Sequence, residues 1–134
     1  MNSSWHLDNH PPAVKYASTV SITSSAMPGV AFTVGRMSFG RRMELFRRIR
    51  EIAANLEYLE ASTDFREQVE ATLLEQEIEN LYLQWGLVSV EGLAIDGQPA
   101  TLELLLERGP EHLAREIVAS IKAECGLSEA ERKN

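Results

Sequence analysis

The residues able to do chemistry are few and poorly grouped. His6, Asp8 and His10 alternate like loose metal ligands, but a zinc site wants three or four rigidly held donors. Their segment is rich in Ser, Asn and Pro and holds no cysteine. The one cysteine, Cys125, falls on the apolar face of a helical pattern, where a buried structural thiol is the simpler expectation than a nucleophile. The carboxylates are numerous but spaced like solvated helix faces. No Gly-rich phosphate loop, nucleophile elbow or HExxH occurs. Neither catalysis nor a metal or cofactor is expected.

One signal does stand out in charge. Residues 36–50 hold Arg36, Arg41, Arg42, Arg47, Arg48 and Arg50 against Glu44, a local +5. The net charge of −7 therefore leaves −12 for the rest of the chain. A basic island in an acidic protein can attract an anionic partner, nucleic acid included. Helical spacing places Arg41 and Arg48 on one side of Leu45 and Arg42 on the other, with Arg47 and Arg50 pointing away. That spread makes no single row for a DNA groove. Residues 57–79 carry eight acids and one arginine. Pairing between two antiparallel helices, or with a protein partner, is thus favoured over nucleic acid. Tyr82 and Trp85 add aromatic residue types common at interface hot spots, although filling the core is the plainer reading, for Trp85 above all.

These groups must be positioned by elements legible in the pattern. Residues 1–29 lack sustained periodicity and read as a flexible arm, with Tyr16, Val20 and Ile22 offering one short strand. Val30–Val34 alternates and is β-branched, a strand bounded by Gly29 and Gly35. A long helix is expected from Phe39 to Glu60, capped by Ser38, with an apolar stripe at Leu45, Ile49, Ile52, Leu56 and Leu59. Asp64 with Glu67 forms a capping-box pattern that opens a second helix running to Trp85 and stopping at Gly86. That helix has two apolar sides: Phe65, Val69 and Leu73 on one, Leu74, Ile78, Leu81 and Trp85 nearly opposite. Short strands at Leu87–Val90 and Leu93–Ile95 flank Glu91-Gly92, before an Asp96-Gly97-Gln98-Pro99 turn. Thr101 caps a short helix to about Glu107. Pro110, as first residue, opens a last helix burying Leu113, Ala114, Ile117, Val118, Ile121 and Cys125 and stopping at Gly126. Ser128–Glu131 offers one further turn. No internal repeat is found.

At 134 residues, with 44% hydrophobic and 25% charged residues, the chain has ordinary globular composition and enough length for one core. No apolar run approaches a membrane span, and Met1-Asn2-Ser3-Ser4-Trp5-His6 lacks the pattern of a secretory signal. A lone cysteine fits a reducing compartment. The expectation is a soluble, intracellular protein: an α+β, mainly α fold, with a helical hairpin, C-terminal helices and a small β-hairpin or sheet. Residues 30–134 would form its single globular, mostly helical domain.

The order of features resembles the small tail assembly chaperones of long-tailed bacteriophages and related prophage proteins. The resemblance runs over residues 30–134. It rests on the strand ending Phe32-Thr33-Val34, the arginine-rich helix start Met37–Leu45, the Trp85-Gly86-Leu87 junction, Val90–Thr101 and the ending Gly126–Asn134. It implies a non-enzymatic protein of the bacterial host cytoplasm. Such a protein binds the tape measure protein, keeps it soluble, helps recruit the tail tube protein and leaves before the particle is finished. A longer frameshifted form is common in the family, and Arg132-Lys133-Asn134 is compatible with a slippery A-AAA-AAC. The partner surface expected is the late face of the second helix (Ile78, Leu81, Tyr82, Trp85), with Arg41, Arg42, Arg47 and Arg48 steering an acidic partner. A homo-oligomer is compatible with this. The alternatives are a structural head–tail or tail-completion protein, and a small nucleic-acid-binding regulator using the Arg36–Arg50 island.

Overall fold

The computed structural model describes residues 11–126. His6, Asp8, His10, the Ser128–Glu131 turn and Arg132–Asn134 lie outside the described residues. The order is β1 (Thr19–Thr23), β2 (Ala31–Gly35), α1 (Phe39–Ala53), α2 (Leu56–Glu60), α3 (Phe65–Gly86), β3 (Leu87–Glu91), β4 (Ala94–Ile95), β5 (Gln98–Pro99), α4 (Leu102–Arg108) and α5 (Glu111–Glu124). The fold is α+β and mainly α, with a three-stranded antiparallel sheet β1-β2-β3 and a separate β4-β5 hairpin. Among the described residues no helix is long and apolar enough to cross a membrane.

β2 is the central strand and the root of the core. Phe32 and Val34 point inward and are fully buried, as alternation along a pleated strand requires. Against them pack Leu113, Ile117, Ile121 and Cys125 of α5, Leu45 of α1, Tyr82 and Leu83 of α3, and Leu105 of α4. Each fully buried large aliphatic or aromatic side chain contributes roughly 1.5–3 kcal/mol relative to exposure. The last helix therefore buries the face expected for it. Gly126, at φ +79, adopts the left-handed conformation that ends a helix. Pro110 is the N-cap of α5, one position earlier than expected. Asp96 and Gly97 both have positive φ and make the tight β4–β5 turn.

The sheet begins ahead of residue 30, so the expected arm is shortened. β1 pairs with β2 from Thr19↔Gly35 to Thr23↔Ala31, with Val20 and Ile22 against the core. Tyr16 lies outside the strand and is exposed. The serines that resembled linker composition instead surround a carboxylate. Ser24 Oγ donates to Glu116 Oε1 at 2.6 Å, and the Ser25 N–H donates to Glu116 Oε2 at 2.7 Å. Ser24 Oγ also accepts from the Met27 N–H at 2.9 Å, closing the turn over α5.

The expected Phe39–Glu60 helix is broken at Ala54-Asn55. Asn55 sits at φ −108, ψ 1, outside helical geometry, consistent with a side chain that competes poorly inside helices. The apolar stripe survives the break, since Leu45 is buried and Ile49, Ile52, Leu56 and Leu59 are half-buried. The capping box is also rearranged. Asp64 accepts from the Arg66 N–H, while Glu67 accepts from Ser62 Oγ at 2.7 Å and Ser62 Oγ accepts from the Asp64 N–H. β3 pairs with β2 rather than with β4, and one extra residue, Val88, makes a bulge opposite Thr33/Val34.

Two predictions concern this framework. A Cβ on Gly86 would lie 2.5–2.9 Å from three side-chain atoms of the buried Ile121. Gly86→Ala should therefore destabilise by about 1–3 kcal/mol in denaturant titration, despite the better helix former. Burial raises the Glu116 pKa, but the hydrogen bonds from Ser24, Ser25 and the Ala26 backbone outweigh it and hold the carboxyl below its ordinary value. Its stabilisation is then complete above the ordinary carboxylate range and lost as pH falls through the lowered value. Glu116→Gln should melt below the parent at neutral pH, and the gap should close below roughly pH 4.

Candidate functional site

The arginine island divides into two halves with different roles. Arg41 reaches the end of α3: its guanidinium lies 4.6 Å from the Trp85 ring centroid, and Nη2 donates to the Trp85 carbonyl at 2.9 Å. Arg42 reaches the end of α5, where Nη1 donates to the Cys125 carbonyl at 2.9 Å. Adjacent arginines thus serve the C-termini of two helices, whose last carbonyls lack intrahelical donors and favour positive charge. Arg36 donates to the Ala17 carbonyl at 3.0 Å and lies 3.9 Å from Glu124. Arg47 and Arg48 pair with Glu44 on their own helix, both exposed, and Arg48 lies 5.9 Å from the Trp85 ring. The Arg50 side chain has no hydrogen bond or ion pair among the described residues.

The opposite sides expected for Arg41 and Arg42 are therefore present, but the expected pairing with the acidic helix is not. No described ion pair joins α1 to α3. Three of the arginines are engaged by backbone carbonyls, which lie nearer than the carboxylates of α3. The carboxylates of Glu70, Glu75 and Glu77 on α3 have no ion pair or hydrogen bond among the described residues; Glu79 meets Arg115 of α5 at 4.0 Å.

The late face of α3 is structural. Tyr82 is 9% exposed, and Ile78, Leu81 and Trp85 are half-buried against the core. Lys122 stands 5.3 Å from the Tyr82 ring. These four residues pack α3 into the fold, so little of this face is open. Burial likewise pushes the Cys125 thiol pKa up, although Arg42 opposes it, so this cysteine is an inert core group.

The open apolar side is the early one. Phe65 is 75% exposed, Val69 43% and Leu73 54%, one above another at four-residue spacing. Glu70 and Glu77 border one edge of this stripe, the edge that also carries the exposed Arg66. Farther along α3 it leads into a groove between α3, α4 and α5, with a cavity of about 440 Å³ over Leu83, Leu105, Leu106 and Val118. Asn80 stands on its wall, and its Oδ1 is buried without a partner among the described residues. Sequence periodicity had found the stripe. What it lacked was the knowledge that the other side of α3, and not this one, faces the core.

Among the described residues no cluster of His, Cys, Asp and Glu is arranged to hold a metal ion. Compared with known proteins, the chain matches no family, no curated protein and no solved structure.

The division of the island can be measured. Arg42→Ala should cost about 1.5–3 kcal/mol, the range for hydrogen bonds to charged groups, and Arg41→Ala a comparable amount. Arg47→Ala and Arg50→Ala should stay within about 0.5 kcal/mol of the parent in the same urea titrations.

Proposed function

We propose that this protein is a tail assembly chaperone of a long-tailed bacteriophage or prophage, which binds the tape measure protein and keeps it soluble in the host cytoplasm. The observation that carries the reading is the exposed stripe Phe65–Val69–Leu73 beside unpaired carboxylates on α3. An apolar stripe at helical spacing accepts an amphipathic helix side by side, and surrounding negative charge keeps the complex in solution. The resemblance over residues 30–134 supplies the identity of the client. The tail tube protein would be recruited to the same complex without any enzymatic step.

The partner surface in this reading is the early side of α3 with its groove, in place of Ile78, Leu81, Tyr82 and Trp85. Steering of a partner by charge falls to Arg47 and Arg48, because Arg41 and Arg42 are held by carbonyls. The nucleic-acid reading draws less support for the same reason, since half of its cations serve the fold.

Co-expression with the tape measure protein of the same phage or prophage tests the proposal. The client should accumulate in the soluble fraction and co-purify. Leu73→Glu should weaken that retention by roughly tenfold or more while leaving the melting temperature near the parent's. A tape measure protein equally soluble without this chain would refute the function. Loss of retention on Trp85→Ala alone, in a folded variant, would return the site to the late face.

A further inference from the structure

Gly126, the last described residue, lies beside an apolar and basic face of α1 that nothing among the described residues covers. At 100° per residue, Phe46, Phe39, Arg50 and Met43 fall within about 60° of one another, with Arg47 about 40° beyond. Phe39, Met43, Arg47 and Arg50 are exposed, and Phe46 is half-buried. Met43, Phe46, Arg47 and Arg50 line a shallow cavity of about 330 Å³. Arg42 lies about 40° to the other side of this arc. It holds the Cys125 carbonyl at 2.9 Å, and a Cβ on Gly126 would stand 3.3 Å from its Nη1. The end of α5 is therefore pinned at the near rim of the face, about one turn before the cavity.

We propose that residues 127–134 of the same chain cover this face, with Leu127 in the cavity and Glu129 and Glu131 on Arg47 and Arg50. The reach is sufficient. Arg42 to Arg50 advances about 12 Å along α1, while the five residues from Gly126 to Glu131 span up to about 17 Å. Leu127 is the one large apolar residue of the stretch, and it comes first, at the level of Met43 and Phe46. The order of charges matches as well. Along α1 and α2 the exposed charges run from Arg47, Arg48 and Arg50 to Glu51, Glu57 and Glu60. The stretch runs the opposite way, from Glu129 and Glu131 to Arg132 and Lys133.

The arginines are available for this. The Arg50 side chain has no partner among the described residues, and Arg47 gives up only an exposed pair with Glu44, which is worth little. Each new contact is weak, but a segment already held at Arg42 meets the face at high effective concentration. The stripe on α3 does not compete, because Glu70 and Glu77 at its edge repel Glu129 and Glu131. The cover withdraws the basic apolar side of α1 from anionic partners and leaves Arg48 and the early side of α3 open. The inference does not depend on the identity of the client.

Oxidation of the full chain by dilute hydrogen peroxide, read at Met43 by mass spectrometry, tests it. Met27, in the turn over α5, serves as the internal reference. Glu129→Arg/Glu131→Arg should oxidise Met43 roughly fivefold faster than the parent, the change expected when a face covered four-fifths of the time is bared. Leu127→Ser should act in the same direction with the charges intact. Adding Arg47→Glu/Arg50→Glu to the first variant should restore the parent's rate, because the pairs are again of opposite sign. Equal Met43 rates in the parent and both released variants would overturn the proposal. So would a folded fourfold variant that does not regain protection. Protection of the parent that grows with protein concentration would assign the cover to another molecule and overturn it too.

Discussion

Arg41 over the Trp85 ring, with its hydrogen bond to the Trp85 carbonyl, fixes how the two long helices meet. The contact joins the start of α1 to the end of α3, so the helices run antiparallel with their Leu45 and Ile78–Trp85 sides facing inward. A cation–π contact made by an exposed arginine contributes about 0.5–1 kcal/mol, and the carbonyl bond adds to it. Its structural consequence is larger than that energy. Once the inward sides are set, helical geometry dictates the outward ones, and these carry Phe65, Val69 and Leu73 on α3 and Phe39 and Met43 on α1. Arg42 repeats the device at the end of α5, and thereby ties α1 to the helix that supplies the largest share of the core.

The same contacts decide where charge is left over. An arginine that donates to a helix-terminal carbonyl does not neutralise a distant carboxylate. The island and the acidic helix therefore remain separate, each with its own apolar stripe. A net charge of −7 conceals this arrangement. What a partner meets is an apolar side on α3 bordered by free carboxylates, and the proposed client binding follows from that separation.

Much of the fold was legible in the residues, and the failures have identifiable physics. Periodicities of 3.6 placed α1 and α5 because each buries a continuous stripe, the capping pattern and two apolar sides placed α3, and β-branched alternation placed β2. The break at Asn55 escaped notice because the stripe continues through it. Ser24 and Ser25 match the composition of an arm, since serine is common both in linkers and around hydrogen-bonded carboxylates. The overlooked signal was the pair of β-branched runs flanking Met27-Pro28-Gly29, a hairpin pattern. The site was half legible. Both apolar sides of α3 were visible in the sequence, but choosing the free one required tertiary contacts. Likewise the wheel separated Arg41 from Arg42 correctly without revealing that backbone carbonyls, and not carboxylates, would receive them.

The central claim is that the early side of α3 is open to partners while its late side belongs to the core. Hydroxyl-radical footprinting of the chain, alone and then bound to the tape measure protein, reads both sides in one experiment. The account predicts strong modification of Phe65 and Leu73 in the free chain, marked protection of both on binding, and little change at Tyr82. Protection centred on Tyr82 and Trp85, with Phe65 still fully reactive in the complex, would contradict it.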